Sequence, residues 1–132
     1  MSAEASIWLR YAEENLAVAR LSLDGGYLNS CLQNAQQAIE KAIKAVVVVM
    51  HHLEFRRTHS IQELAGMLAA AGIASGITED ECDVVDAVYL PSKYPLVGLL
   101  PQSEPELETC ALCIAIAECV VAAARRGLMG AL

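Results

Sequence analysis

The hydrophobic pattern is clearest between Asn29 and Leu53, a stretch with no Gly or Pro. Apolar residues recur at Leu28, Cys31, Leu32, Ala35, Ala38, Ile39, Ala42, Ile43 and Val46. This is the i, i+3, i+4, i+7 spacing of an amphipathic helix. At 1.5 Å per residue the helix would be roughly 35–40 Å long, enough to run the length of a small bundle. Its β-branched run, Val46–Val49, predicts fraying there unless packing holds it. Gln33, Gln37, Lys41 and Lys44 are spaced four, four and three apart and are expected to line the opposite edge. Glu40 precedes Lys44 by four residues, the favourable order for a helical ion pair.

Four further helices follow from the same period and its punctuation. The first runs from about Ala3 to Leu23, with Ile7, Trp8, Tyr11, Leu16, Ala19 and Leu23 as a broad apolar face. Asp24-Gly25-Gly26 stops it, and so short a link makes helices 1 and 2 antiparallel neighbours. A polar hinge, Glu54 to His59, leads to Ser60-Ile61-Gln62-Glu63, a capping box that opens helix 3, which carries Ile61, Leu64, Ala65 and Leu68 and ends at Gly72. A second box, Thr78 to Glu81, opens helix 4, with Val84, Val85, Val88 and Tyr89 apolar and Pro91 ending or kinking it. Pro91–Gln102 reads as an irregular loop, and Ser103-Glu104-Pro105-Glu106 as a third box opening helix 5. That helix ends at Arg125-Arg126-Gly127, where cations and a glycine suit a C-terminus. No stretch alternates with period two. The expected fold is all-α: one domain over residues 1–132, an up-and-down bundle of about five helices.

Composition adds to this picture. Apolar residues are 55% of 132 and mean hydropathy is +0.40, which suggests a surplus of apolar surface and hence a homodimer. Helices 1, 2 and 5 all carry enough apolar residues to serve as its face. Uninterrupted apolar runs such as Ala45–Met50 and Cys119–Ala124 fall well short of the ~20 residues a membrane span needs, so no membrane association is expected. No secretory signal is visible, and five cysteines set in apolar helical text imply reduced thiols and a cytoplasmic location. Cys110-x-x-Cys113 lacks a second ligand pair and reads as buried thiols; no metal and no cofactor is expected. His51 and His52 are adjacent, point about 100° apart on a helix, and read as surface residues.

A net charge of −7 argues against broad nucleic-acid binding. Its distribution is uneven: Glu63 to Glu118 contains ten acidic residues and a single basic one, Lys93. Lys41, Lys44, Arg56 and Arg57 form the basic locality, with His51, His52 and His59 among them. That pattern suits a small anionic ligand or one RNA end. It also suits two solvated helix ends.

These segments resemble the HEPN domain, a small helical family named for nucleotide binding in higher eukaryotes and prokaryotes. Asn34 to Ala45, NAQQAIEKAIKA, is close to the family's helix 2 pattern h-A-q-q-A-x-E-K-x-x-K-A, and Gly26-Tyr27 matches its glycine-aromatic entry. Thr58-His59-Ser60-Ile61 with Leu64 resembles t-H-d-l-x-x-L, with Ser60 in place of Asp. Tyr89 followed by Ser92-Lys93-Tyr94-Pro95 resembles Y-x-x-s-R-Y-P, with Lys93 in place of Arg. Some family members are metal-independent endoribonucleases that use Arg-x(4–6)-His. No His stands five to seven residues after any Arg of this chain, so that motif is absent.

The resemblance therefore implies a nucleotide-binding or partner subunit, acting with a minimal nucleotidyltransferase in a toxin–antitoxin-like pair, without catalytic residues of its own. The alternatives are an endoribonuclease toxin with an atypical set, Arg56, Arg57 and His59, and a purely structural dimerisation unit built on alanine-rich helices 1 and 5. The expected ligand contacts, for a nucleotide or RNA, are Gln37, Lys41, Lys44, His59, Tyr89, Lys93 and Tyr94. Each has a structural reading beside it. The glutamine and lysines can form a solvated face, His59 can bond backbone ahead of helix 3, and Lys93 can pair with an acid such as Glu40.

Overall fold

A computed structural model describes residues 2–50, 58–93 and 105–130. It contains five helices and, among the described residues, no strand: α1 (Ala3–Asp24), α2 (Leu28–Val47), α3 (Ile61–Ala70), α4 (Glu79–Lys93) and α5 (Leu107–Met129). The central rod is α2, which packs against all four others and most extensively against α1 and α5. Thirteen of its residues are buried, including every large aliphatic of the predicted stripe from Leu32 to Val46. At about 30 Å it is shorter than expected. It ends inside the valine run, as the β-branched content predicts, and Val49 and Met50 continue it only as single turns.

Local sequence sets the element ends. Gly26 takes φ +81° after α1. The Tyr27 amide then reaches the Ser22 carbonyl at 2.8 Å and the Gly26 amide reaches Leu23 at 3.1 Å, the double bond that turns the chain back on itself. The same pattern closes α3, with Ile73 bonding Leu68 at 2.9 Å and Gly72 bonding Ala69 at 3.0 Å. The Thr78 box is reciprocal: Thr78 N–H donates to Glu81 Oε1 at 2.9 Å and Glu81 N–H to Thr78 Oγ1 at 3.1 Å.

Some expectations are corrected. The inner face of α1 is Ala5, Leu9, Ala12, Leu16 and Ala19, whereas Ile7 and Tyr11 point outward and are 47% exposed. Ala5, Ala12 and Ala19 let α1 approach α2 closely, with Leu9 and Leu16 buried between them. Helix 4 runs through Pro91 to Lys93. A proline so near a C-terminus removes only one of the last intrahelical bonds. At α5, Glu106 occupies the N-cap position with no side-chain cap, and Pro105 precedes the helix instead of lying in its first turn. Ser103 and Glu104 lie outside the described residues, as do most of the Glu54–His59 hinge, His51 and His52. The helix also passes Gly127 to reach Met129, held by Leu128, which is buried in the core.

By length and composition alone α5 could cross a membrane, with mean hydropathy 2.0 over its most apolar window. Glu118 interrupts its apolar run, which is why contiguous runs underrate it. Its buried side is Cys110, Cys113, Ile114, Ala117, Val120, Val121 and Ala124, packed on α2 and α1.

Candidate functional site

Two of the predicted site residues, Lys44 and His59, meet at one buried carboxylate. Glu40, 4% exposed in its side chain, accepts from Lys44 Nζ at 2.9 Å, from His59 Nδ1 at 2.9 Å and from Gln36 Nε2 at 3.3 Å. Burial pushes its carboxyl upward, but the hydrogen bonds and charges of Lys44 and His59 outweigh this and hold it below the ordinary carboxylate range. A buried charge is tolerated here because three donors converge on it. An ionised carboxylate only accepts, so Nδ1 of His59 carries the proton. Gln36 Nε2 also donates to the His59 carbonyl at 3.0 Å, which ties that residue at its backbone as well as its ring.

Tyr89, on α4, forms the other wall. Its ring centroid lies 6.0 Å from that of His59, tilted by 39°. Its hydroxyl accepts from Gln37 Nε2 at 3.4 Å and Lys93 Nζ at 3.3 Å, and keeps its own proton to donate. Lys93 also lies 5.5 Å above the Tyr89 ring centroid, one helical turn on. Gln37 gives a further bond to Gln36 Oε1 at 2.8 Å, which joins the two walls. Between them opens a groove of about 350 Å³ lined by His59, Ser60, Asp86, Tyr89 and Leu90.

Asp86 is spent on structure. Its carboxylate accepts from Ile61 N–H at 2.8 Å, Gln62 N–H at 3.0 Å and Ser60 Oγ at 3.3 Å, capping the N-terminus of α3 from α4. Ser60 also accepts from Glu63 N–H at 3.2 Å, as its box predicts, but the Glu63 carboxylate turns to Thr58 Oγ1 at 2.7 Å. This network fixes the backbone immediately after His59.

Of the seven predicted contacts, His59 and Tyr89 line this groove, and Gln37 and Lys93 join them through the Tyr89 hydroxyl. Lys44 joins them only through Glu40: it is buried, and its ammonium lies 5.7 Å from the Trp8 ring centroid. Lys41 turns to α1 instead, donating to Asn15 Oδ1 at 2.8 Å with the Tyr11 ring 5.9 Å away. The polar edge of α2 thus does not act as one stripe. Steps of four residues advance about 40° each, so Lys41 stands about 80° around from Gln33, while Lys44 returns to within about 20°. Gln33 accordingly reaches α4, donating to the Ser92 carbonyl at 2.7 Å. Tyr94 lies outside the described residues, with Arg56 and Arg57.

Three contributors were not singled out as site residues in the sequence: Gln36, Glu40 and Asp86. Gln36 and Glu40 stand one turn apart beside Ala35, Ala38 and Ile39, polar residues intruding on a buried stripe, and that intrusion was the available signal. Asp86 had none, because it sits in an acidic turn that reads as solvated.

A protein-family model described as the HEPN domain matches residues 5–127. No curated protein matches the chain. Among solved structures, TT1696 from Thermus thermophilus superposes with a TM-score of 0.76 at 25% identity, covering 96% of this chain and 99% of that one. ST0689, described as an archaeal HEPN homologue, superposes with a TM-score of 0.62 at 21% identity, covering 94% and 97%. At that identity the second likeness concerns the fold alone.

Proposed function

Because the chain belongs to the HEPN domain family, we propose that it is a nucleotide- or RNA-binding module that seats its ligand in the groove between His59 and Tyr89 and serves a minimal nucleotidyltransferase as partner subunit. The observation that carries this reading is the fixed His59 ring beside Tyr89 and Lys93, a cationic edge and an aromatic wall in a chain of net charge −7. An aromatic face suits a base and a cationic edge suits a phosphate. Lys93 recognises phosphate as a point charge and not as a bidentate fork, so it favours a terminal phosphate over a planar clamp.

The module is further proposed to be a cytoplasmic homodimer. The outward side of α1 carries Ile7, Tyr11, Glu14, Val18 and Leu21 at alternating spacings of four and three, the seam of a coiled coil. An antiparallel second copy crossing near residue 12 would set Ile7 beside Val18 of the partner subunit and Arg10 beside Glu14 of the partner subunit, an opposite-charge pair made twice. The five free thiols are in keeping with a reducing compartment.

A thermal-shift panel of AMP, ATP, GTP and UTP tests the binding reading. At a hundredfold excess over Kd, about 2.7 kcal/mol of stabilisation is expected, with a rise of several degrees in Tm that Lys93→Ala diminishes. No shift with any nucleotide, and no nucleotidyltransferase retained when the tagged protein is purified from its own cells, would count against it. One observation favours an endoribonuclease as second reading: a histidine whose Nδ1 is held by a carboxylate presents Nε2 for proton transfer. RNA cleavage that is unchanged in His59→Ala would eliminate that reading.

A further inference from the structure

His59 is held more firmly than an exposed side chain ordinarily is. Its side chain is 69% exposed, yet its ring is bonded through Nδ1 and its carbonyl through Gln36. Fixing an exposed rotamer loses entropy, and exposed ion pairs return little. Here the anchoring partner is itself buried, and it is oriented by Lys44 and Gln36. A line of fixed polar groups running along α2 thus ends at one open ring nitrogen, Nε2.

We propose that Glu40 is a positioning residue for His59: it receives Nδ1–H, fixes the neutral ring in one tautomer and presents the Nε2 lone pair to the phosphate monoester group of the ligand. This rests on the groove being the binding site. A monoprotonated phosphate oxygen gives its proton to Nε2; the O–H bond breaks, an N–H bond forms, and the phosphate becomes a dianion beside an imidazolium. The ring's new charge then lies between the Glu40 carboxylate and the phosphate. The charged and titratable groups around it are Glu40 and Lys44 from α2, and Asp86, Tyr89 and Lys93 from α4. The negative charge of Asp86, which lines the groove, is partly offset by the α3 N-terminal amides that donate to it. Lys93 Nζ, 3.3 Å from the Tyr89 hydroxyl, adds positive charge beside the Tyr89 wall.

Long-range proton–nitrogen correlation on protein labelled with 15N-histidine tests this, with His59→Asn identifying the signal. At neutral pH the free protein is expected to show Nδ1 protonated and Nε2 bare. Inorganic phosphate and AMP should move Nε2 to the protonated range, and adenosine should not, which separates the phosphate from the base. Because Glu40→Gln alone strands Lys44, the paired variant Glu40→Gln, Lys44→Met serves as the comparison, with its fold checked by circular dichroism. In it the ring should average between tautomers and the phosphate response should need about tenfold more ligand or greater. A wild-type ring already in the Nε2–H tautomer, an Nε2 unmoved by phosphate, or an unchanged response in the paired variant would each overturn the assignment. Nucleotide stabilisation without any Nε2 response would overturn this assignment alone and leave the binding reading standing; no stabilisation and no response would remove both.

Discussion

Glu40 and Lys44 form a pair whose members cannot be removed singly without leaving an uncompensated charge in the core. Lys44→Met is therefore expected to destabilise the protein by about 3–5 kcal/mol in urea unfolding, a large share of the ~5–15 kcal/mol that holds a domain folded. The paired variant should lose much less, because neither charge remains. The sign of the pH dependence follows from the lowered Glu40 carboxyl. A group whose folded value lies below its unfolded one stabilises above the unfolded value, near 4.5, and loses that contribution as pH falls through the folded one. Wild type and Glu40→Gln should thus differ most at neutral pH and converge in acid below 4.5. The cysteines behave oppositely toward solvent. Burial pushes Cys31 up to about 12 and Cys82 and Cys113 up to about 11, and raises Cys110 as well. Only Cys119 is exposed. Alkylation of the native protein at pH 8 should modify one thiol rapidly, and all five only after unfolding.

At the scale of elements, α3 is short, ten residues, and isolated helices of that length are marginal in water. Its stability comes from two sources. Ile61, Leu64 and Leu68 are buried against α2 and α4, and Asp86 supplies two acceptors to its first backbone amides. Asp86→Ala should lower stability by about 0.5–2 kcal/mol, and hydrogen exchange should quicken first in Ile61 to Leu64. The Leu64→Ala change should be larger, about 2–5 kcal/mol, because a fully buried side chain leaves a cavity. If Asp86→Ala also displaces the His59 backbone, its effect on ligand binding will exceed its effect on stability, since Ser60 bonds Asp86 directly.

For the whole molecule, one aliphatic core runs from α1 through α2 to α5, and α3 and α4 cover its remaining side. Two ion pairs tie α1 to α5 at the surface: Arg20 with Glu118 at 3.3 Å and Arg125 with Glu13 at 2.7 Å. All four side chains are about half exposed, so these pairs set register more than they add stability. Assembly is a separate question from folding. Of the three helices whose composition suits a dimer face, α2 is consumed by the core. Replacing Tyr11 and Leu21 on α1 together with glutamate should leave unfolding nearly unchanged, since both are exposed. On the proposed α1 seam, it should convert a dimer to a monomer in sedimentation; a dimer that survives would place the interface elsewhere.

Periodicity and end signals were sufficient for the helices themselves. The apolar positions of α2 and α3, the glycine stop after α1 and the Thr78 box all stand where local chemistry requires, because helix period and capping are properties of neighbouring residues. The HEPN membership was legible for the same reason, in the run NAQQAIEKAIKA of α2. What only the tertiary structure decided is which polar groups meet. Spacing pointed to the Glu40–Lys44 pair but not to its burial, and set Lys41 on the same edge; packing sent Lys41 to Asn15 on α1 and buried the Glu40–Lys44 pair. Glu40, Asp86 and His59 are distant in sequence, and their joint arrangement exists only once α2, α3 and α4 enclose the same space, since desolvation and long-range hydrogen bonding have no local signature in the chain.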